Sequence, residues 1–175
     1  MMREAIAIAD RAMALGPREP VMLDTLGVVY TQANEHAKAA GAFQRAVIAA
    51  PESAGFRFNL ATSFTFMGDI DSAEREYAAC LELEPRFWKA WLALSQLRRQ
   101  SVEHNRLPRL RALRAQAGLD AEARLYLNLA LSKELEDIGE YADAFSHLTE
   151  GKKAWSEQLG YDIARDEALF QALID

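Results

Sequence analysis

The side chains of this 175-residue chain with the most chemistry to offer are three histidines, one cysteine and three tryptophans. A zinc or iron site gathers several imidazole or thiolate ligands at one point, which on a helix means His or Cys at i+3 or i+4. His36, His104 and His147 have no such companion, so each reads as a surface or capping residue and no metal is expected. A lone thiol excludes an internal disulfide and reacts only as a thiolate in an open, electropositive setting. Cys80 follows Ala73 and Tyr77 on a helical stripe and reads as inert core. The phosphate-cradling patterns GxxxxGK[ST] and GxGxxG and the nucleophile elbow are missing from the sequence, so neither a catalytic residue nor a cofactor is expected. Trp91 lies on an apolar stripe, whereas Trp88 and Trp155 are candidates for stacking a ligand.

The elements that would position these groups repeat. Pro17, Pro51 and Pro85 stand 34 residues apart, as do Leu26, Leu60 and Leu94, and the same offset links Gly27 to Ala61 and Ser95, Tyr30 to Phe64, Asn34 to Gly68, Ala5 to Ala39 and Ala73, and Phe43 to Tyr77. Leu23, Leu26, Gly27 and Tyr30 fall at i, i+3, i+4 and i+7, one stripe of a helix, and Ala39, Phe43 and Ala46 form the facing stripe of a second. Small residues at Gly27, Ala39 and Ala46 let two helix axes come close, and Tyr30 and Phe43 fill the space beside them. Asn34 and Gly68 mark a turn that needs a left-handed residue; Pro51 and Pro85 separate one repeat from the next.

Carried along the chain, the frame gives a single domain over 1–175. It begins with a half repeat at 2–19 and continues through repeats at 20–53, 54–87, 88–119 and 120–159 to a capping helix at 162–174. The third repeat diverges: Arg98 replaces an aromatic, Val102 stands where a turn glycine belongs, and Leu107-Pro108 interrupts the alanine position, so helices are expected at about 87–101 and 107–117. The frame recovers with Leu131, Ser132, Gly139, Tyr141, Ala144 and Leu148. On this reading the chain starts mid-motif, both ends are cut, and self-association through the exposed ends is expected.

With its recurrent Leu, Gly/Ala, aromatic, Ala, aromatic, Ala and Pro, the sequence resembles the tetratricopeptide repeat family. The resemblance implies an all-α, right-handed superhelix of about four helical hairpins plus flanking helices, acting as a protein-interaction scaffold and not an enzyme. It also implies a concave face on the first helices, whose residues here include Asp24, Val28, Gln32, Phe58, Asn59, Thr62, Phe66, Lys89, Gln96 and Arg99. Such a groove holds an extended peptide through Asn59 and Gln96, with Lys89 and Arg99 favouring acidic partners. The chaperone-tail carboxylate clamp is matched only at Asn59 and Lys89. Asp24, Val28 and Ala93 stand where a base, an Asn and a further base are required, and an aspartate repels a carboxylate.

Charge and hydropathy bound the partners. The net charge of −6 argues against nucleic acid, and no apolar run approaches the roughly 20 residues needed to cross a bilayer, so neither nucleic acid nor membrane is expected and the cytoplasm is the default compartment. The window 86–114 holds eight basic residues and one acidic, +7 against −13 elsewhere. Its arginines are either a grip for an acidic partner or a helix-favouring surface around Leu107, Leu110 and Leu113. A narrower resemblance covers Ala130 to Trp155, the following Gly160-Tyr-Asp, and the terminal Phe170-Gln-Ala-Leu-Ile-Asp. This segment looks like the last repeat and exit helix of bacterial tetratricopeptide–sulfotransferase fusions. It implies a parent enzyme whose catalytic domain follows Asp175, a domain that would itself be a partner, and places no catalytic residue on this chain.

Overall fold

A computed structural model describes residues 2–116, 118–160 and 163–174, apart from the side chains of residues 165, 168 and 169. Every regular element among them is an α-helix: α1 (Met2–Ala14), α2 (Pro20–Gln32), α3 (His36–Ala49), α4 (Ala54–Met67), α5 (Ile70–Leu83), α6 (Trp88–Gln96), α7 (Leu107–Arg114), α8 (Ala121–Asp137), α9 (Tyr141–Leu159) and α10 (Ile163–Ile174). Neighbouring helices pair as hairpins, α2 with α3, α4 with α5 and α8 with α9. None of the helices is long and apolar enough to cross a membrane. The chain forms two compact units, Met1–Arg98 and Arg99–Asp175.

The first unit stacks the 34-residue hairpins. Ala39, Ala42, Ala46 and Ala73 are fully buried, and the large side chains of Leu23, Tyr30, Phe43 and Tyr77 are buried beside them. Gly27 shows why the small position must be small: a Cβ there would lie 2.5 Å from the Phe43 ring. Asn34, with φ 58°, and Gly68, with φ 76°, make the left-handed turns inside two hairpins. Ser53 and Asp69 cap α4 and α5 by accepting from the backbone N–H groups of Phe56 and Ser72. The α3 helix lies between α2 and α4, so each hairpin covers the flank of the one before. Two residues at equivalent repeat positions tie their first helix to the preceding turn: Arg57 Nε donates to the Pro51 carbonyl and Trp91 Nε1 to the Pro85 carbonyl, both at 3.0 Å.

One polar knot joins three helices of this unit. The Asp10 carboxylate on α1 accepts from the Tyr30 hydroxyl at 2.8 Å and from Lys38 Nζ at 2.8 and 2.9 Å. These bonds hold Asp10 below the usual carboxylate range, while burial first and the bond to Asp10 second push Tyr30 up to about 12. Cys80 is fully buried, and burial pushes its thiol up to about 12, which keeps it protonated and unreactive.

The divergent stretch departs from expectation in length. The α6 helix ends at Gln96 and α7 at Arg114, shorter than the expected 87–101 and 107–117, and residue 117 lies outside the described residues. Between them the backbone is bonded to side chains in place of a helix ladder: Asn105 Nδ2 donates to the Ser101 and Val102 carbonyls, Asn105 Oδ1 accepts from Leu107 N–H, and Ser101 Oγ accepts from His104 N–H. The division between the two units falls in this stretch, after Arg98.

In the second unit, Leu107, Leu110 and Leu113 of α7 are buried in a unit where α7 packs on α8. The long hairpin of α8 and α9 closes at Gly151, where a Cβ would lie 3.0 Å from Asn128 Cβ and 3.2 Å from the Leu125 carbonyl. Residues 162–174 were expected to cover the end of the stack. Residue 162 lies outside the described residues, and every described side chain of α10 is exposed.

Adding one methyl group at each of two helical glycines separates packing from backbone propensity. Gly27→Ala should lower unfolding free energy by about 1–3 kcal/mol, because Phe43 is enclosed and cannot retreat. Gly55→Ala meets nothing within 4 Å and should raise it by up to about 1 kcal/mol. Urea unfolding followed by circular dichroism gives both values; equal effects would contradict the packing account.

Candidate functional site

The residues expected on a concave face of the first unit form two equivalent rows. Asp24, Val28 and Gln32 stand at i, i+4 and i+8 on α2, and Phe58, Thr62 and Phe66 at the matching places on α4, each 34 residues on. The rows are bound together at one end by Asn59, whose amide donates to the Asp24 carboxylate at 2.8 Å; both residues are half-buried. On α4 the Thr62 hydroxyl donates to the Phe58 carbonyl at 2.9 Å and lies 3.0 Å from the Tyr77 hydroxyl. Phe58 packs on Tyr77 and stacks on Phe87, with centroids 5.5 and 4.9 Å apart. Phe66 stacks on His36 at 4.6 Å with planes 12° apart, yet stays 63% exposed. Val28 is 38% exposed, and Gln32, Lys89 and Gln96 are also exposed.

These contacts sort the expected groove. Asn59 was assigned to a peptide backbone, and its side-chain amide donates one hydrogen bond to Asp24. Phe58 is a structural aromatic as much as a recognition one. Arg99 belongs to the second unit, where Nε and Nη2 donate to the Asp137 carbonyl at 3.4 Å and Arg99 lines an open pocket with Lys133, Glu136, Asp137 and Tyr141. Trp88, a candidate for ligand stacking, is 8% exposed, with the Arg86 guanidinium 5.6 Å from its ring centroid, and is core. Trp91 is core as expected, and Trp155 is half-buried.

The arginine-rich window is largely engaged within the chain. Arg98 pairs with Asp71 and with Glu74, the latter at 3.1 Å, and replaces the expected aromatic by bracing α5. Arg114 pairs with Glu150 on α9. The backbone N–H of Arg106 donates to Glu134 at 2.5 Å, and its guanidinium lies 3.8 Å from the same carboxylate. Glu134 is fully buried. Sequence reading passed over it, although a carboxylate between Leu131 and Leu135 on the apolar stripe of α8 is the kind of break that signals a buried polar contact.

The histidines separate in the same way. His36 stacks on Phe66 and His104 is exposed in the connection between α6 and α7. His147, read as surface or capping, is half-buried: Asn128 donates through Nδ2 to the Arg124 carbonyl at 2.9 Å, so its Oδ1 accepts from His147 Nδ1–H at 2.8 Å. Burial lowers the imidazole's affinity for a proton. Arg114 and Arg111 act in the same direction, against Glu150 and Asp143.

Neither a protein-family model nor a curated protein matches this sequence. Solved structures do match: MamA aligns with a TM-score of 0.65 and 14% identity over 91% of this chain and 92% of that one. BtubC from P. vanneervenii aligns with a TM-score of 0.63 and 20% identity over 92% and 76%. A third, the first TPR of Spaghetti (RPAP3) bound to an HSP90 peptide, aligns at 0.47 with 15% identity over 79% and 94%, and adds nothing to the assignment. Such identities show the fold alone, a tetratricopeptide-like array of helical hairpins.

Because the folded pKa of His147 lies below its unfolded value near 6.5, the stabilising contribution is complete above about pH 6.5 and is lost as pH falls through the depressed value. Between pH 7.5 and 5.5 the wild-type urea midpoint should therefore drop more than that of His147→Gln, which cannot take up a proton. Parallel pH profiles for the two proteins would contradict this assignment.

Proposed function

We propose that this chain is a protein-interaction scaffold that binds an extended segment of a partner protein along the α2–α4 face. The observation that carries the reading is the exposure of Val28 and Phe66 on a face several of whose other members are held in place: Asn59 by Asp24, Thr62 by Phe58 and Tyr77, Phe58 by Phe87. A surface already fixed by its own hydrogen bonds loses little side-chain freedom on binding, and exposed apolar side chains beside polar ones supply area and register. Lys89 and Gln96 on α6 extend the rows, Gln96 at the place of Val28 and Thr62, and Lys89 favours an acidic residue in the partner. The resemblance of residues 130–175 to sulfotransferase-linked repeats concerns α8 to α10 and leaves the α2–α4 face without a role, so the scaffold reading is the one the site favours.

Peptides selected from a displayed random library on the immobilised protein test the reading. Val28→Glu and Phe66→Ala should each weaken a selected peptide by about tenfold or more. Ile48→Glu, at a still more exposed apolar residue of α3, should leave it unchanged. Failure to select any peptide, or peptides indifferent to both groove substitutions, would sink the proposal.

A further inference from the structure

In the first unit each second helix is covered by the first helix of the next hairpin. The α4 helix lies along α3: His36 at the start of α3 stacks on Phe66 near the end of α4, and Ala40, one turn on, is buried in the same core as Leu60. The α9 helix can be aligned with α3, because Ala144, Leu148 and Gly151 occupy the places of Ala39, Phe43 and Ala46. Tyr141 and Phe145 then stand where His36 and Ala40 do, but they are 67% and 70% exposed. The α10 helix carries the kind of stripe that would cover them. Ile163, Phe170 and Ile174 lie at i, i+7 and i+11 with Leu173 beside them, and all four are between 61% and 78% exposed. Among the described residues, an exposed aromatic face and an exposed apolar stripe thus occur in one unit.

The connection between them is wrong for self-cover. The place of Ala49, where α3 ends, corresponds to Ala154, yet α9 continues five residues further to Leu159, an overrun of about 7.5 Å. The α3–α4 pairing sets His36 opposite Phe66, 13 residues before the end of α3 and 12 after the start of α4. The same folding back of α10 on its own α9 would set Phe170 opposite Gly151, and Phe145 and Tyr141 would lie beyond the end of α10. A helix from another molecule is not tied to that register. Shifted by nearly two turns and antiparallel, it brings Phe170 to Phe145 and Ile174 to Tyr141, and sets Ile163 opposite Lys152, within one turn of Asp166.

We infer that this face is an interface between two copies of the chain, the α10 helix of each lying across Tyr141 and Phe145 of the other. Such a contact is self-complementary, so a two-fold axis satisfies both helices and both faces at once and closes the assembly at a dimer. It uses α9 and α10 only and is separate from the α2–α4 face.

Analytical ultracentrifugation of the full chain from 1 to 200 µM, about the range over which weak dimers dissociate, should show a monomer–dimer equilibrium. Phe145→Glu and Phe170→Glu should each weaken it by about tenfold or more with helical content unchanged, both side chains being exposed in the single chain. Mixing Phe145→Cys chains with Phe170→Cys chains under mild oxidation should give a disulfide-linked dimer, with the native Cys80 buried and protonated. A chain that stays monomeric throughout, a dimer that survives both glutamate substitutions, or a doubly substituted chain that closes its disulfide only within one molecule would each overturn the inference. Loss of peptide binding through Phe66→Ala would not affect it.

Discussion

A helical hairpin of this kind has two apolar flanks and can bury only one by pairing its own helices. The facing stripes of α2 and α3, with Gly27 pressed against the Phe43 ring, take care of the inner flank. The outer flank of α3 is left for α4, and the rest of the first unit follows from that obligation. Alanine recurs at the crossing points because anything larger would part the axes, and an aromatic recurs beside it because a gap in a close-packed interior forfeits its dispersion contacts. Burial of each Leu, Tyr or Phe at these places contributes on the order of 1.5–3 kcal/mol, far more than the exposed ion pairs around them.

Polar contacts set geometry more than stability. The knot of Asp10, Tyr30 and Lys38 fixes how α1 meets α2 and α3, and the Asn59–Asp24 bond fixes how the first helices of adjacent hairpins meet. In the second unit the fully buried Glu134 orders the chain just ahead of α7 by accepting the Arg106 backbone N–H, and His147 and Asn128 lock α8 to α9 through a neutral imidazole. Arginines that look from the sequence like a surface for an acidic partner are in good part such braces: Arg98 to α5, Arg114 to α9. The α2–α4 face, proposed above as the partner-binding surface, keeps Val28 and Phe66 exposed beside these braced residues.

The interruption at residues 97–106 has a corresponding physical reading. Pro108 has no N–H to continue a helical ladder from the preceding turn, and Asn105 and Ser101 supply the backbone bonds instead. The sequence departs from its period there, and the chain divides into its two units at the edge of the same stretch.

How much could be read without coordinates follows from the range of the forces involved. The hairpins of the first unit, the turns at Asn34 and Gly68, the burial of Cys80 and Trp91 and the loss of the repeat pattern after residue 97 are local or periodic. A 34-residue recurrence of size and polarity is enough to state them. Which polar side chains find one another is different, because it depends on where helices 20 to 40 positions apart come to rest. Asn59 meeting Asp24, His147 meeting Asn128 and Trp88 sinking into the core left no pattern in the sequence that would single them out, and the break Glu134 makes in the apolar stripe of α8 does not name its partner, the backbone of Arg106. The helical stripe of α10 was legible, but whether it lies on α9 turns on five extra residues of helix, a matter of register in space. Sequence determined the repeating unit because packing within a hairpin depends on residue size at fixed spacing; tertiary structure alone decided the pairing of charges and the faces left bare, because those depend on distances the spacing does not encode.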